Sequence, residues 1–207
     1  MVFGLIGLLF NIVTFPGMFV NGVIQDVFDQ KYGVPSARLA VDENVDLDEI
    51  ERTQEAMAKV SRVLDDGEEP GPDERVEYFT NHAAVEQYRD LFGVVVGPFV
   101  VTTVVGLVLF AAFVTLGLAG VVEGTGGLAW WAGFYPGFAI SAHAFPNREP
   151  TTALWERSKE TGSLLRFVGY PLVGVSMLFN ALEFLWIDAI YAFALFLLLA
   201  VPAGVLV

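Results

Sequence analysis

The chain alternates between long apolar stretches and polar ones, and this alternation predicts its organisation. Five apolar stretches are long enough for a helix that crosses a bilayer; they lie at residues 1–25, 91–122, 127–145, 164–183 and 186–207. The pattern therefore predicts an all-α polytopic membrane protein with about five transmembrane helices. Pro16 and Gly17 should bend the first of these helices in its middle.

Three regions follow from this pattern. Residues 1–25 are the first transmembrane helix, and residues 26–90 are an acidic loop that faces water. Residues 91–207 are a membrane domain of about four helices. A polar linker at 147–163, with room for a surface helix, interrupts that domain.

The acidic loop has patterns of its own. Residues 36–41 and 75–80 alternate partly with period two, which predicts two strands of a small hairpin-like cap. Residues 47–64 predict an amphipathic helix. Its narrow apolar stripe consists of Ile50, Met57, Val60 and Leu64. The loop is thus expected to be a small α+β cap, in which the stripe either packs locally or docks a partner.

The composition supports a membrane protein and adds a strong negative charge. Of the 207 residues 55% are hydrophobic, and the mean hydropathy of +0.58 is high for a soluble domain. The 24 acidic residues outnumber 11 basic ones, of which three are lysines, so the net charge is −13. Acidic, lysine-poor loops suit a cytoplasm at molar salt, where carboxylate repulsion is screened. We expect a haloarchaeal source, with an acidic mesophilic protein as the alternative.

Charge and cysteine content exclude several functions. An acidic protein has little with which to neutralise phosphates, so nucleic acid is not expected as a partner. The chain has no cysteine, which excludes disulfides, thiol catalysis and cysteine metal ligands.

The basic residues predict an orientation in the cell membrane. All eleven fall in two segments, 26–90 and 147–166. With five helices these segments lie on one side of the bilayer, and the positive-inside rule places them in the cytoplasm. We therefore expect a multi-pass protein with its N terminus outside and its C terminus in the cytoplasm.

The most informative stretch is FPGMFVNGVIQDVFDQKYGVP, which begins at Phe15. Its frame of Phe15, Pro16, Gly17, Gly33 and Val34 resembles the first helix of the site-2-type membrane zinc metalloproteases. That helix reads roughly F-P-G-x-x-x-H-E-x-A-H and is followed by a short loop and G-V. The resemblance implies a metalloprotease-like scaffold in the membrane.

The catalytic residues of that motif are replaced in this chain. In H-E-x-x-H two histidines bind zinc, and the glutamate takes a proton from the metal-bound water. The five positions here hold Asn21, Gly22, Val23, Ile24 and Gln25. Neutral amides are poor zinc ligands and glycine has no side chain, so we interpret the chain as a degenerate member of that family. The alternative is that the two amides simply make interhelical hydrogen bonds.

Two further points of resemblance lie later in the chain. The letters GPF at 97–99 match the start of a helix in that family, with Thr102 or Thr103 where the family has asparagine. His143, in the phrase AHAFPN, matches an H-A-F-P-S motif and completes the vestigial site. A lone histidine in a membrane helix is more often a hydrogen-bonded packing residue than a ligand.

The residues leave three functions open. The leading one is a non-catalytic integral membrane protein that needs no cofactor and binds a membrane segment or a partner protein. The second is an active zinc protease with unusual ligands, namely His143, His82 and a carboxylate such as Asp26 or Asp29. The third is a structural or accessory subunit of a membrane complex. The expected partners are the lipid bilayer and, through the acidic loop, a membrane protein.

Overall fold

The computed structural model describes residues 2–46, 54–65, 67–122, 126–181 and 187–205. Within these residues the helices are α1 (Val2–Val13), α2 (Phe15–Lys31), α3 (Gln54–Val60), α4 (Tyr88–Leu118), α5 (Leu128–Ser141), α6 (Arg148–Glu160), α7 (Arg166–Ala181) and α8 (Ile187–Ala200). The strands are β1 (Ser36–Asp42), β2 (Ser61–Val63) and β3 (Glu74–Thr80), and a 3₁₀ helix, His82–Ala84, follows β3.

A sharp break at Thr14 separates α1 from α2, which lie at 74° to one another. The Thr14 hydroxyl donates to the carbonyl of Phe10 at 2.8 Å, and Pro16 occupies the first turn of α2, where a missing N–H costs little. The break therefore occurs slightly earlier in the chain than the bend predicted at Pro16 and Gly17. Helix α2 continues past the predicted end of the first transmembrane helix at Gln25 and ends at Lys31.

The long helix α4 is the axis of the helical part, since α2, α5, α6 and α8 all pack against it. Around its first half lies an aliphatic core, which includes Leu91, Val94, Val95, Leu154 and Val173. Around its second half lies an aromatic core, which includes Phe110, Phe113, Phe134 and Phe196. Glycines let the helices approach closely: a Cβ at Gly97 would overlap the ring of Phe28 in α2.

The cap is a three-stranded antiparallel sheet in the order β2, β1, β3. The register pairs Ser36 with Thr80 and Asp42 with Glu74. Both predicted strands are present with nearly the predicted bounds. Leu39, Val41 and Met57 form the small core between the sheet and α3.

The predicted helix over 47–64 is only partly correct. The structure has α3 at Gln54–Val60, whereas the next three residues leave the helix and pair with β1 as strand β2. Residues 47–53, including Ile50, lie outside the described residues. Met57 and Leu64 are buried in the cap, so these two stripe positions pack locally.

The prediction of an all-α protein with about five transmembrane helices is wrong. The fold is mostly helical but includes the sheet, and among the described residues only α4 is long and apolar enough to cross a membrane. The number rises to two if the bent pair α1–α2 counts as one span. The apolar stretches are long, but the helices inside them are short: α5 and α8 have 14 residues each, or ~21 Å, against ~30 Å of hydrocarbon.

The predicted linker at 147–163 forms α6, which packs against α4 and α7. Thr151, Leu154 and Ser158 of α6 are fully buried. Because they recur at three- and four-residue spacing, one face of α6 belongs to the core of the helical part.

Candidate functional site

The two amides at the positions compared with H-E-x-x-H join α2 to α4. Thr102, which is fully buried in α4, donates its hydroxyl to Asn21 Oδ1 at 3.2 Å. Gln25 Nε2 donates to the carbonyl of Val94 at 3.4 Å and to Asp29 Oδ1 at 2.8 Å. Gly22 lies between them on the exposed side of α2. The arrangement is that of interhelical hydrogen bonds, which is the alternative role for these amides.

The two threonines near the GPF letters have separate partners. Thr102 binds Asn21, whereas the Thr103 hydroxyl lies 2.7 Å from the hydroxyl of Tyr191 in α8. Whichever threonine corresponds to the asparagine of the zinc metalloproteases, its hydroxyl therefore contacts a side chain of another helix.

His143 lies beside the break between α1 and α2. Its Nε2 is 2.8 Å from the Thr14 hydroxyl oxygen, and its ring centroid is 6.4 Å from that of Phe10. The single hydroxyl hydrogen of Thr14 is directed at the Phe10 carbonyl, so His143 Nε2 must be the donor in this contact. His143 thus stabilises the helix break as a hydrogen-bond donor.

The two histidines do not come together. His143 contacts Thr14, immediately before α2, whereas His82 contacts Asp29 near the end of that helix. Fifteen residues of helix separate those contacts by roughly 22 Å. Asp26 is exposed. The structure therefore does not assemble the alternative zinc site, and its described residues include no group of three His, Cys, Asp or Glu that could hold a metal ion.

His82 is instead buried at the centre of an ion bridge between two partly exposed carboxylates. Its Nδ1 lies 3.4 Å from Glu149 Oε1 in the first turn of α6, and its Nε2 lies 3.4 Å from Asp29 Oδ1 in α2. The second contact has ion-pair distance without the geometry of a hydrogen bond. The side chain of His82 is 7% exposed, compared with 14% for that of Asp29.

This environment changes the proton affinity of the imidazole. Burial by itself lowers the pKa of His82, but the carboxylates of Asp29 and Glu149 outweigh burial and raise that pKa from 6.5 to about 9. His82 is therefore an imidazolium at neutral pH. Because Gln25 donates to the same Asp29 oxygen, the bridge is continuous with the hydrogen bonds between α2 and α4.

The sequence indicated only part of this bridge. His82 and Asp29 were candidates as zinc ligands, and they do meet, but Glu149 was not singled out. His82 and Glu149 lie 67 residues apart. The one feature of the sequence that could have pointed to Glu149 is its place as an acidic residue in the first turn of a predicted helix. That feature is common to helices in general.

A second ionic cluster lies on the surface of the cap. Arg62 binds both Glu68 and Glu74, the latter at 3.0 Å. The Arg62 guanidinium and the backbone N–H of Gly71 lower the pKa of Glu74. For Glu68 the backbone N–H of Asp65 and then Arg62 lower the pKa. This cluster ties the segment between β2 and β3 to the sheet.

No protein-family model, curated protein or solved structure matches this chain. The resemblance to zinc metalloproteases consequently rests on the residues of the frame and of the later motifs. At the positions that would carry catalysis, the side chains present hold helices together.

Proposed function

We propose that the chain is a membrane-embedded, non-catalytic protein that acts by binding. The observation that carries the membrane part is the exposure of α4, which has 31 residues and whose most apolar 18-residue window is only 28% buried within the protein. The core helix of a soluble domain is mostly covered by its own protein. An apolar helix exposed to this degree is stabilised by lipid.

The exposed apolar surface has the height of a bilayer. On α4 it extends from Val100 to Leu118, which is ~27 Å of helix against a hydrocarbon core of ~30 Å. Neighbouring helices extend it sideways with further exposed side chains: Leu8, Leu9, Ile12, Phe15, Phe19, Val23, Ile190, Phe193 and Leu198. A patch of this extent would be a severe aggregation hazard in water.

Charged residues mark the cap end of this surface. Arg89 and Asp90 lie at the start of α4, and Asp26 and Lys31 lie at the end of α2, which packs beside that start. From residue 91 to residue 122 the chain has no charged residue. The cap therefore lies on one side of the membrane, and the basic residues favour the cytoplasmic side.

Single-cysteine labelling tests this arrangement, because the chain has no native cysteine. Glu69→Cys on the cap should react with a membrane-impermeant maleimide only after cell lysis. Leu128→Cys, which replaces a side chain 88% exposed at the opposite end, should react in intact cells. Reaction of Glu69→Cys in intact cells would contradict the cytoplasmic cap. Release of the protein into solution by alkaline carbonate would contradict embedding in the membrane.

The non-catalytic part of the proposal rests on the contacts of the former motif. Asn21 and Gln25 are engaged with α4, and the base position is Gly22. Zinc catalysis needs about three protein ligands and an open position for water. Elemental analysis of the purified protein should find far less than one zinc per chain. Nearly stoichiometric zinc that is lost in His143→Ala or His82→Ala would restore the protease hypothesis.

A binding role fits the charge of the cap. Residues 26–90 include 18 acidic and seven basic residues, and Arg62 and Arg75 among the latter are already engaged with carboxylates of the cap. The remaining charge favours a partner with a basic cytoplasmic surface. A photo-crosslinking residue at Tyr78, which is 71% exposed on β3, should yield an adduct with another membrane protein. If the same photo-crosslinking residue placed at Leu128 yields the adduct equally well, that result would argue against docking at the cap.

A further inference from the structure

The cap is joined to the helical part by two short segments. Residues 32–35 connect α2 to β1, and residues 81–87 connect β3 to α4. The backbone N–H of Asn81 donates to the carbonyl of Pro35 at 2.8 Å, so the two segments are tied together where they leave the sheet. The strands pack mainly with one another, whereas the 3₁₀ helix that includes His82 packs on α6. The orientation of the cap is thus fixed at this junction.

The charged groups around His82 come from two helices. Asp29 faces it from α2 and Glu149 faces it from α6. Arg157, farther along α6, is directed at the carbonyl oxygens of Ala83 and Glu86, each at 3.3 Å, and so holds the same segment without touching the imidazole. Of these contacts that hold the segment, the bridge through His82 depends on a titratable proton, whereas the Arg157 guanidinium stays protonated.

We propose that the Asp29–His82–Glu149 bridge is a pH-sensitive joint that fixes the cap to α2 and α6 and that opens when His82 loses its proton. An imidazolium has an N–H on each ring nitrogen and can face two carboxylates. A neutral imidazole has one N–H and one lone pair. One of the two carboxylates would then face a lone pair of the buried imidazole at 3.4 Å, which is repulsive.

The direction of the pH effect follows from the environment of His82. Its pKa is raised from 6.5 to about 9, so the folded state holds the proton more tightly than the unfolded state. The contribution of the bridge is complete below about pH 6.5 and is lost as the pH rises through about 9. The joint is closed at neutral pH and opens in alkaline conditions.

Spin labels at Tyr78→Cys on the cap and Val168→Cys on α7 report the opening, since both positions are exposed and the chain has no other cysteine. In detergent, electron–electron distance measurements should give one narrow distribution at pH 7 and a broader or second one at pH 10. His82→Gln should give the broad distribution at both values, so that the change between pH 7 and 10 disappears. Glu156→Gln, which alters an exposed ion pair on the same helix α6, should behave as the unmodified chain.

Titration of the imidazole by NMR completes the experiment, because the chain has only two histidines. The His82 signal should titrate near 9, and Glu149→Gln or Asp29→Asn should move its midpoint down by about one unit or more. These carboxylate variants also test the joint if His82→Gln does not fold. Two results would overturn the proposal: a His82 midpoint near 6.5, or a distance distribution that stays narrow after His82 has lost its proton.

Discussion

Gly17 of α2 packs directly on the backbone of Ala139 in α5. A Cβ at position 17 would overlap the carbonyl oxygen of Ala139, which has no rotamer with which to move away. Gly17 is buried, whereas Gly22 on the same helix is exposed with open space around its Cα. The approach of α2 to α5 thus depends on one missing side chain.

Alanine at these two glycines should therefore have opposite effects. Gly17→Ala should lower the free energy of unfolding by about 1–3 kcal/mol, because the helices must separate. Gly22→Ala should raise it by up to about 1 kcal/mol, because alanine favours a helix. Unfolding by SDS in detergent micelles measures both. Equal effects of the two substitutions would mean that α2 does not contact α5 at Gly17.

The hydrogen bond from Thr102 to Asn21 should appear as coupling in a double-mutant cycle. Asn21→Ala and Thr102→Val remove the two partners, and hydrogen bonds between membrane helices contribute roughly 0.6–1.7 kcal/mol. The effects of the two substitutions on the free energy of unfolding should therefore be less than additive by about that amount.

The neighbouring threonine supplies the control for that cycle. Thr103 binds Tyr191 rather than Asn21, so Thr103→Val and Asn21→Ala should be additive. Coupling of Asn21 to Thr103, with none to Thr102, would show that α4 is rotated from the orientation described.

The cap strands could be predicted because their pattern is local. Residues 36–41 and 75–80 show the alternation of a half-buried sheet, and the structure places strands there. Strand β2 was missed because Leu64 continues the helical spacing of Met57 and Val60. Pairing of Arg62 with Ala40 across the sheet decides that segment, and this contact is not visible in the local pattern.

The sequence predicted too many transmembrane helices because hydropathy measures the length of an apolar stretch and not the length of the helix inside it. Breaks such as the one at Thr14 depend on tertiary contacts, here with His143, 129 residues away. Glu149 was not identified as a partner of His82 for a similar reason. His82 and Glu149 meet only because α6 folds back onto the segment before α4.

The cap should loosen at low salt before the helices do. The cap has an excess of carboxylates, which repel one another. The screening length of that repulsion is about 3 Å at 1 M salt but about 30 Å at 0.01 M. Hydrogen exchange of β1 and β3 amides should accelerate at the lower concentration, while amides of α4 in the same sample serve as the reference. Arg62→Gln should enlarge the difference, because Arg62 binds both Glu68 and Glu74. Exchange in the cap that is independent of salt would contradict the halophilic hypothesis.

The two histidines should differ in their ring nitrogens at pH 7. His82, with a pKa raised to about 9, should have a hydrogen on both nitrogens. His143 should have a hydrogen on Nε2, since it donates to Thr14, whose own hydroxyl hydrogen is directed at Phe10. Nitrogen-15 NMR distinguishes these states, with His143→Gln to assign the signals.

The same contact predicts how substitutions at His143 rank. His143→Gln keeps an N–H donor near the position of Nε2 and should lower the free energy of unfolding by about 1 kcal/mol or less. His143→Ala removes the donor and leaves a cavity beside the half-buried ring of Phe10, so its cost should be about 2–4 kcal/mol. Thr14→Val should remove the advantage of glutamine over alanine, because the acceptor is gone. Similar costs for glutamine and alanine in the presence of Thr14 would mean that His143 stabilises the helix break by packing alone.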